Sequence, residues 1–281
     1  MKLIPVNAGN FKLDGGAMFG VVPKSIWNKL NPSDSNNMCS WSMRCLLIEF
    51  GNRLILIDNG MGDKQDEKFF SHYYLHGDDT LEKSLSKAGY SFDDVTDVFL
   101  THLHFDHCGG SVSYSDKNKS TLQTTFKNAI YWSNDLHWNW AVSPNAREKA
   151  SFLKENILPI QDSGQLKFIQ KGDSLIDGFE IIFVDGHTEA MMLPLVQCNG
   201  KKILYCADLF PSVGHLPLPY VMAYDVRPLQ TLKEKSDIVK RAVDEGWILF
   251  FEHDSVHEAC ILETTEKGIR AAAHGNLSDF I

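Results

Sequence analysis

The sequence predicts an α+β fold in which two β-sheets pack together and helices cover their outer faces. Two observations favour this class. Strand-like segments precede helix-like segments in the first half of the chain, and the same order repeats in the second half. The 281 residues include 43% hydrophobic side chains, enough to bury a sizeable core. We expect a single domain over residues 1–281, made of two pseudo-repeated halves at roughly 1–160 and 161–281.

Local patterns in the first half predict four strands and two helices. The Gly51-Asn52 pair between two apolar segments favours a tight hairpin. Gly89 follows one helical pattern, and Pro144 stands near the start of another. The predicted strands are Leu46–Phe50, Arg53–Asp58, Asp97–Thr101 and Ala129–Trp132, and the predicted helices are Thr80–Ala88 and Pro144–Asn156.

The second half repeats this order of elements. Short apolar runs indicate buried strands, and longer segments with helical spacing end at Gly246 and before Gly275. The predicted strands are Phe179–Asp185, Ile203–Cys206 and Trp247–Phe251, and the predicted helices are Pro228–Glu245 and His257–His274.

The composition excludes several classes of protein. The net charge of −9 argues against a nucleic-acid binder, because phosphate contacts need clustered Lys and Arg. No apolar run reaches the roughly 18 residues of a membrane span, and the start of the chain does not have the pattern of a signal peptide. The six cysteines form no CxxC pair, which fits reduced thiols. We therefore expect a cytoplasmic protein with no membrane or nucleic-acid partner.

Metal-binding chemistry is indicated by the segment THLHFDHCGG at residues 101–110. It places three imidazoles and one carboxylate within six residues, at His102, His104, Asp106 and His107. Such groups are costly to bury without partners, and divalent cations satisfy them. Along an extended loop, His102 and His104 point one way, whereas Asp106 and His107 turn to the other side as a helix begins. Two pairs of donors suit two adjacent metal ions.

Three more candidate ligands follow predicted strands in the second half, namely His187, Asp208 and His253. A single histidine after a strand is usually a surface residue or a hydrogen-bonded one. Together, however, the three residues are expected at one edge of a sandwich. Their shared position favours metal binding over three unrelated roles.

These motifs resemble the metallo-β-lactamase superfamily. THLHFDHCGG, DGHT, CADLF and FEHD occur in the order and approximate spacing of that family, across nearly the whole chain. The resemblance implies a four-layer αββα sandwich of two mixed β-sheets and two divalent cations, with Zn²⁺ the expected ion and Mn, Fe or Co permitted by the ligands. The implied ligands are His102, His104 and His187 for the first ion, Asp106, His107 and His253 for the second, and Asp208 as the bridge.

Two carboxylates have further implied roles. Asp58 matches a family position at which an Asp orients a ligand histidine, which suits the habit of a ligating imidazole to donate its other N–H to a carboxylate. Asp106 is the implied proton shuttle, with a purely ligating role as the alternative. Cys206 precedes Asp208 by two residues and is expected to be a core residue.

The implied reaction is hydrolysis of a lactone or ester by a hydroxide that bridges two metal ions. The segments DGGAMFGVVPK, HLHFDHCGG and ADLFPSVGHLPLP are similar to N-acyl-homoserine lactonases, which act in quorum quenching, and to their organophosphate-hydrolase relatives. Position 211 departs from that pattern, because it is Pro where some lactonases carry a Tyr that holds the substrate carbonyl. His215 is assigned as the catalytic replacement, with Tyr220 as the alternative.

Aromatic-rich loops favour an apolar pocket for a small lactone or ester with an apolar tail. Aromatic side chains also cap cores and line oligomer interfaces, so a core role and a homodimer are left open. The candidate substrate contacts are Met18, Phe19, Trp132, Phe210 and Tyr220.

Three other functions stay open for the same residues. A phosphotriester or phosphodiester hydrolase would place Arg or Lys near the metal ions, and a glyoxalase-like thioester hydrolase would carry a basic glutathione-binding segment. A non-catalytic metal-binding protein is the third. Few basic residues adjoin the motifs, which favours lactone or ester hydrolysis.

Overall fold

The computed structural model describes residues 1–266 and 268–281. The described chain divides into two compact units. The first unit contains Met1–Gly9 and Met43–Ile176, and the second contains Asn10–Ser42 and Asp177–Ile281. Residues 10–42 thus group with the second half of the chain, which the division into sequential halves did not anticipate. The prediction of a single domain stays a prediction.

The strands vary in length from three to thirteen residues. In chain order and within the described residues they are β1 (Lys2–Asp14), β2 (Met38–Phe50), β3 (Arg53–Ile57), β4 (Asp97–Phe99), β5 (Val112–Tyr114), β6 (Leu122–Thr124), β7 (Ile130–Ser133), β8 (Leu166–Phe168), β9 (Phe179–Val184), β10 (Met191–Cys198), β11 (Lys201–Tyr205), β12 (Ile248–Phe250), β13 (Ala259–Thr265) and β14 (Gly268–Gly275).

Most helices are short, and the longest has 18 residues. In chain order and over the same residues they are α1 (Gly15–Phe19), α2 (Lys24–Trp27), α3 (Glu67–Ser71), α4 (Leu81–Ala88), α5 (Phe105–Cys108), α6 (Asp135–Val142), α7 (Lys154–Asp162) and α8 (Pro228–Glu245). Among the described residues, none of these helices combines the length and the apolar character that a membrane span requires.

The first sheet has the strand order β1-β2-β3-β4-β7-β8. Strands β2 and β3 form the predicted hairpin across Gly51-Asn52, with Phe50 paired to Arg53. Strands β3, β4, β7 and β8 run parallel to one another, so the sheet is mixed. The carboxyl ends of parallel strands meet at one sheet edge. Asp58 follows β3 and His102 follows β4, so both residues leave the sheet at that edge.

The second sheet has the strand order β14-β13-β12-β11-β10-β9 and is also mixed. Strands β11 and β12 are parallel, whereas β10 runs antiparallel to both β9 and β11. Strands β9, β11 and β12 therefore point in the same direction. His187, Asp208 and His253 follow their carboxyl ends, so the topology brings the three candidate ligands to one edge.

Each unit buries its own apolar side chains. In the first unit, α4 packs Leu81 and Leu85 into a core with side chains of β2, β3, β4 and β7. In the second unit, α8 packs against β13 and buries Ile238, Val239 and Ala242. The mixed sheets and helices confirm the predicted α+β class.

The two best-defined helix predictions are confirmed at their ends. The Thr80 side chain accepts a hydrogen bond from the Lys83 N–H, and Gly89 ends α4 in the left-handed conformation at φ 90°. Helix α8 begins at Pro228, and Gly246 ends it at φ 66°. Pro at the first helical position and Gly just beyond the last one suit these conformations.

The predicted helix Pro144–Asn156 is wrong, because α7 begins only at Lys154. The side chain of Asn145 accepts hydrogen bonds from the backbone N–H groups of Arg147 and Glu148. Asn side chains that bind nearby backbone in this way stabilise turns in competition with a helix. Helix α6 was not predicted.

The predicted helix His257–His274 is also wrong, and part of that prediction, residue 267, lies outside the described residues. Strands β13 and β14 pair antiparallel instead. Cys260 of β13 pairs with Leu249 of β12, so the segment extends the second sheet. Ile261, Thr264, Thr265 and Ile269 favour strands, and the sheet contact prevails over the helical spacing.

We expect Gly110→Ala to lower the free energy of unfolding by about 1–3 kcal/mol, the typical cost of overpacking. A Cβ atom at this position would lie 2.3 Å from the Asn59 carbonyl oxygen. Chemical denaturation of the variant measures the loss. Ser86→Ala on the exposed side of α4 is the control, and equal stability of both variants would contradict the close approach.

Candidate metal centre

Four donor residues of the first unit follow β4. His102 and His104 lie in extended backbone, and their facing atoms Nε2 and Nδ1 are 3.1 Å apart. Asp106 and His107 lie on α5, with Asp106 Oδ2 3.9 Å from His107 Nε2. All four side chains are buried. The donors of each pair are close enough to share one ion.

Asp58 organises two of these imidazoles. Its Oδ2 lies 3.1 Å from His107 Nδ1 and accepts a hydrogen bond from the Thr101 hydroxyl at 2.6 Å. That hydroxyl has one hydrogen, and Asp58 already holds it. Thr101 Oγ1 therefore accepts a hydrogen bond from the Nδ1–H of His102 at 3.1 Å. Asp58 thereby orients His107 directly and His102 through Thr101, and both rings keep Nε2 for a cation.

The second unit holds a similar set around Asp208. His187 Nε2 lies 3.1 Å from Asp208 Oδ2, and His253 Nε2 lies 3.0 Å from Oδ1 of the same carboxylate. The outer nitrogens are also held. His187 Nδ1 lies 2.8 Å from Asp225 Oδ1, and His253 Nδ1 donates to the Ser42 carbonyl at 2.7 Å.

The chemistry of this set fits a metal ion. A carbonyl oxygen only accepts, so the hydrogen of a neutral His253 ring is on Nδ1 and the Nε2 lone pair faces a carboxylate. Burial alone lowers the pKa of His187, but Asp208 and Asp225 on its two sides raise it to about 10. These donors therefore need either extra protons or a cation, and metal ions replace such protons.

Sequence reasoning missed several of the residues that hold the candidate ligands. Asp225 lies in an irregular segment before α8, and Ser42 contributes only its carbonyl oxygen. Glu148 is buried, and its Oε1 is 3.5 Å from His104 Nε2. No motif marks these positions, because their role depends on contacts that join distant parts of the chain.

The apolar candidates for substrate contact in the second unit are mostly core residues. Met18 and Phe19 are buried, and the Phe19 ring stacks on Trp27 with centroids 5.4 Å apart. Phe210 is fully buried, and the Lys235 ammonium lies 5.3 Å from its ring centroid. Tyr220 is only half-buried. The burial of Met18, Phe19 and Phe210 fits the core role that the sequence left open, and substrate contact by them stays a prediction.

The arrangement of His215 does not suit the predicted electrophile. Its Nε2 donates to the Met18 carbonyl at 2.9 Å, which leaves Nδ1 to accept from the Ser212 hydroxyl at 2.8 Å. Burial lowers the pKa of His215 to about 3, so the ring is neutral. It stacks on Phe19 with centroids 4.4 Å apart. The single N–H is thus bound to the Met18 carbonyl, and the role of His215 as an electrophile stays a prediction.

The substrate role of Trp132 stays a prediction, and its contacts in the structure are to Asp97 and Lys167. Its indole N–H donates to Asp97 Oδ1 at 2.8 Å, and Lys167 Nζ lies 5.8 Å from its ring centroid. Asp97 is the first residue of β4, whereas the candidate ligands follow the end of that strand. The Trp132 side chain therefore reaches toward the start of β4, because its backbone pairs with Phe99 whereas its indole binds Asp97.

An aromatic cluster that was not predicted adjoins the first-unit ligands. Phe105 lies between His104 and Asp106 in sequence, and its ring is 4.7 Å from Tyr73 and 5.3 Å from Phe69 by centroids. Burial and the nearby Asp106 charge raise the pKa of Tyr73 to about 12, so its phenol stays protonated. The Phe inside the HLHFDH motif was the available signal for this cluster.

The chain is similar to one protein family and to a curated relative over most of its length. Residues 44–253 match the family model of the metallo-beta-lactamase superfamily. The N-acyl homoserine lactonase AiiA of Bacillus thuringiensis subsp. kurstaki is 23% identical, over 92% of this chain and 94% of the relative.

Two solved structures are also similar. A probable metal-dependent hydrolase from Staphylococcus aureus has a TM-score of 0.88 and 26% identity, covering 98% of this chain and 96% of that one. AidC, a dizinc quorum-quenching lactonase in complex with a product N-hexanoyl-L-homoserine, has a TM-score of 0.79 and 22% identity, covering 96% and 92%.

We expect Asp225→Asn to weaken binding of Zn²⁺ by about 10–100-fold. The neutral amide of Asn is a weaker acceptor for the His187 Nδ1–H than the charged carboxylate of Asp225. Competition with a chromophoric chelator measures the affinity. Asp237→Asn, on the exposed face of α8, is the matched control. Wild-type affinity in the Asp225 variant would show that this carboxylate does not act on His187.

We expect His215→Gln to flatten the acid dependence of stability in the metal-free protein. The folded pKa of about 3 lies below the ordinary 6.5. The unfolded chain therefore takes up the proton first, and stability falls as pH drops below about 6.5, by up to about 1.4 kcal/mol per pH unit. Urea unfolding at pH 7, 6 and 5 compares the two proteins, and parallel profiles would contradict a neutral buried ring.

Proposed function

The chain belongs to the metallo-beta-lactamase superfamily, and from that premise we propose that it is a two-metal hydrolase that opens N-acyl-homoserine lactones or related carboxylic esters. The observation that carries the proposal is the donor set. Buried imidazoles and carboxylates follow strand ends in both units, and an oxygen lies close to the outer nitrogen of each candidate imidazole. Such support is typical of metal ligands.

The proposal assigns every candidate ligand to one centre within a single domain over residues 1–281. Zn²⁺ is the proposed ion, because imidazole and carboxylate donors suit it, and Mn, Fe or Co would also be accepted. The proposed ligands are His102, His104 and His187 for one ion, Asp106, His107 and His253 for the other, and Asp208 for both.

Two such cations, when bound, lower the pKa of water and polarise an ester carbonyl. The side chains of this protein supply orientation and proton transfer. Asp58 and Asp225 hold His107 and His187 in one tautomer. Asp106 is the proposed proton shuttle, because its carboxylate has a second oxygen that can carry a proton while the first one ligates.

The apolar part of the substrate is proposed to lie against the cluster of Phe69, Tyr73 and Phe105. Phe105 is joined to two proposed ligands in sequence, and it makes an edge contact with Phe69 and a tilted ring contact with Tyr73. Tyr73 keeps its hydroxyl proton and can donate a hydrogen bond to an ester oxygen. In the second unit, Tyr220 remains a candidate substrate contact. The buried side chains of Met18, Phe19 and Phe210 belong to the core of that unit.

Lactones are favoured over other ester substrates by two findings. The curated relatives include N-acyl homoserine lactonases, and a solved relative holds a product N-hexanoyl-L-homoserine. The net charge of −9 disfavours a polyanionic substrate. Phosphotriester, phosphodiester and glutathione-thioester hydrolysis are the alternatives that the experiment must distinguish.

Elemental analysis and a substrate panel test the proposal. We expect two divalent ions per chain and metal-dependent opening of N-hexanoyl-homoserine lactone, lost on chelation and restored by Zn²⁺, Mn²⁺ or Co²⁺. Removal of the proposed bridging carboxylate in Asp208→Ala should lower kcat/KM by a factor on the order of 10³, whereas His72→Ala at an exposed position should not change it.

Three outcomes would contradict the proposal. Faster turnover of a phosphotriester or phosphodiester would replace it with phosphoester hydrolysis. Faster turnover of a glutathione thioester would replace it with glyoxalase-like chemistry. Two bound ions with no turnover on the whole panel would leave a metal-binding protein without hydrolase activity.

A further inference from the structure

Helix α6 and the segment between α6 and α7 contact the backbone beside His104 and one face of its ring. The Phe105 N–H donates to the Ser151 carbonyl at 3.0 Å, and the Leu103 N–H donates to His137 Nε2 at 2.8 Å. The Phe152 ring lies 4.8 Å from the His104 ring by centroids. The backbone on both sides of His104 and one face of its ring are therefore held by residues 137–152.

Glu148 lies in this segment with a buried carboxylate, and the side chain of the residue is 3% exposed. Its Oε2 accepts hydrogen bonds from Trp140 Nε1 at 2.7 Å and from Asn145 Nδ2 at 2.5 Å. Its Oε1 lies 3.5 Å from His104 Nε2. Two donors thus fix one oxygen of the carboxylate, and the other oxygen faces the imidazole.

We propose that Glu148 is a positioning residue that keeps the hydrogen of His104 on Nε2 and so reserves Nδ1 for a metal ion. The inference rests on the proposed two-metal centre. His104 needs such a residue because Nδ1 is the atom that faces His102 Nε2, at 3.1 Å. In His102 and His107 the outer nitrogen is Nδ1. In His104 the two nitrogens have exchanged places: Nδ1 faces the other ligand, and Nε2 points away from it. The oxygen that accepts the ring hydrogen of His104 must therefore lie next to Nε2.

The charge of Glu148 matters more than its shape. The 3.5 Å separation is longer than the 3.1 Å between His107 Nδ1 and Asp58 Oδ2, and a carboxylate attracts the N–H at this distance more strongly than a neutral acceptor does. In Glu148→Gln, the amide oxygen can still accept from Trp140 and Asn145, which turns the amide NH₂ toward His104. A donor at that place favours a hydrogen on Nδ1, the tautomer that cannot ligate through that atom.

The test compares Glu148→Gln with Glu148→Asp and with Glu155→Gln, an exposed carboxylate at the start of α7. Zn²⁺ affinity is measured by chelator competition, and the His104 tautomer by ¹⁵N chemical shifts of the metal-free protein. We expect Glu148→Gln to bind one Zn²⁺ about 10–100-fold more weakly and to shift the His104 hydrogen toward Nδ1. Glu148→Asp keeps the charge and should recover part of the affinity, whereas Glu155→Gln should match the wild type.

The outcomes separate this inference from the proposed function. Wild-type affinity and an unchanged His104 tautomer in Glu148→Gln would overturn the role of Glu148 alone. A wild-type protein that binds two ions but opens no lactone would overturn the proposed substrate and leave the role of Glu148 supported by the variant data. A wild-type protein that binds no divalent ion would overturn both. If Glu148→Gln unfolds, equal affinity of Glu148→Asp and Glu148→Ala would overturn the inference.

Discussion

A ligating imidazole has two nitrogens with opposite requirements. One must present a lone pair, so the other carries a hydrogen that needs an acceptor, and a buried hydrogen without one is costly. The candidate ligands meet this constraint with chemically different acceptors. Asp58 faces His107, and Asp225 faces His187. The Thr101 hydroxyl serves His102, and a backbone carbonyl serves His253. Asp58 and Thr101 follow β3 and β4, whereas Ser42 is part of β2 and Asp225 precedes α8.

The sheets solve the related problem of bringing distant residues to common edges. In the first sheet, β3 and β4 are parallel, so Asp58 and the His102 segment emerge side by side. In the second sheet, β9, β11 and β12 run in one direction, and each precedes a candidate ligand. A strand end is rigid and leaves the next residues free of sheet hydrogen bonds, and these properties suit a metal site.

Sequence reasoning reached the family, the fold class and half of the described strands, because these depend on local apolar patterns and on a dense motif. The hairpin at Gly51-Asn52 and helix α8 are examples. It failed where long-range contacts decide the outcome. Ala259–Thr265 and Gly268–Gly275 form strands because β13 pairs with β12 and β14 pairs with β13. Asp225 and Glu148 carry no local signal, and the hydrogen bonds of His215 could not be read from its spacing to Asp208.

The position of Asp58 links the properties of two imidazoles as well as their orientations. One carboxylate governs His107 directly and His102 through a hydroxyl, while the two rings belong to different pairs of donors. The basicity of one imidazole therefore cannot be adjusted independently of the other by changes at this position. Any substitution there alters both halves of the first unit's donor set at once, so the occupancies of two ions would rise or fall as a correlated pair.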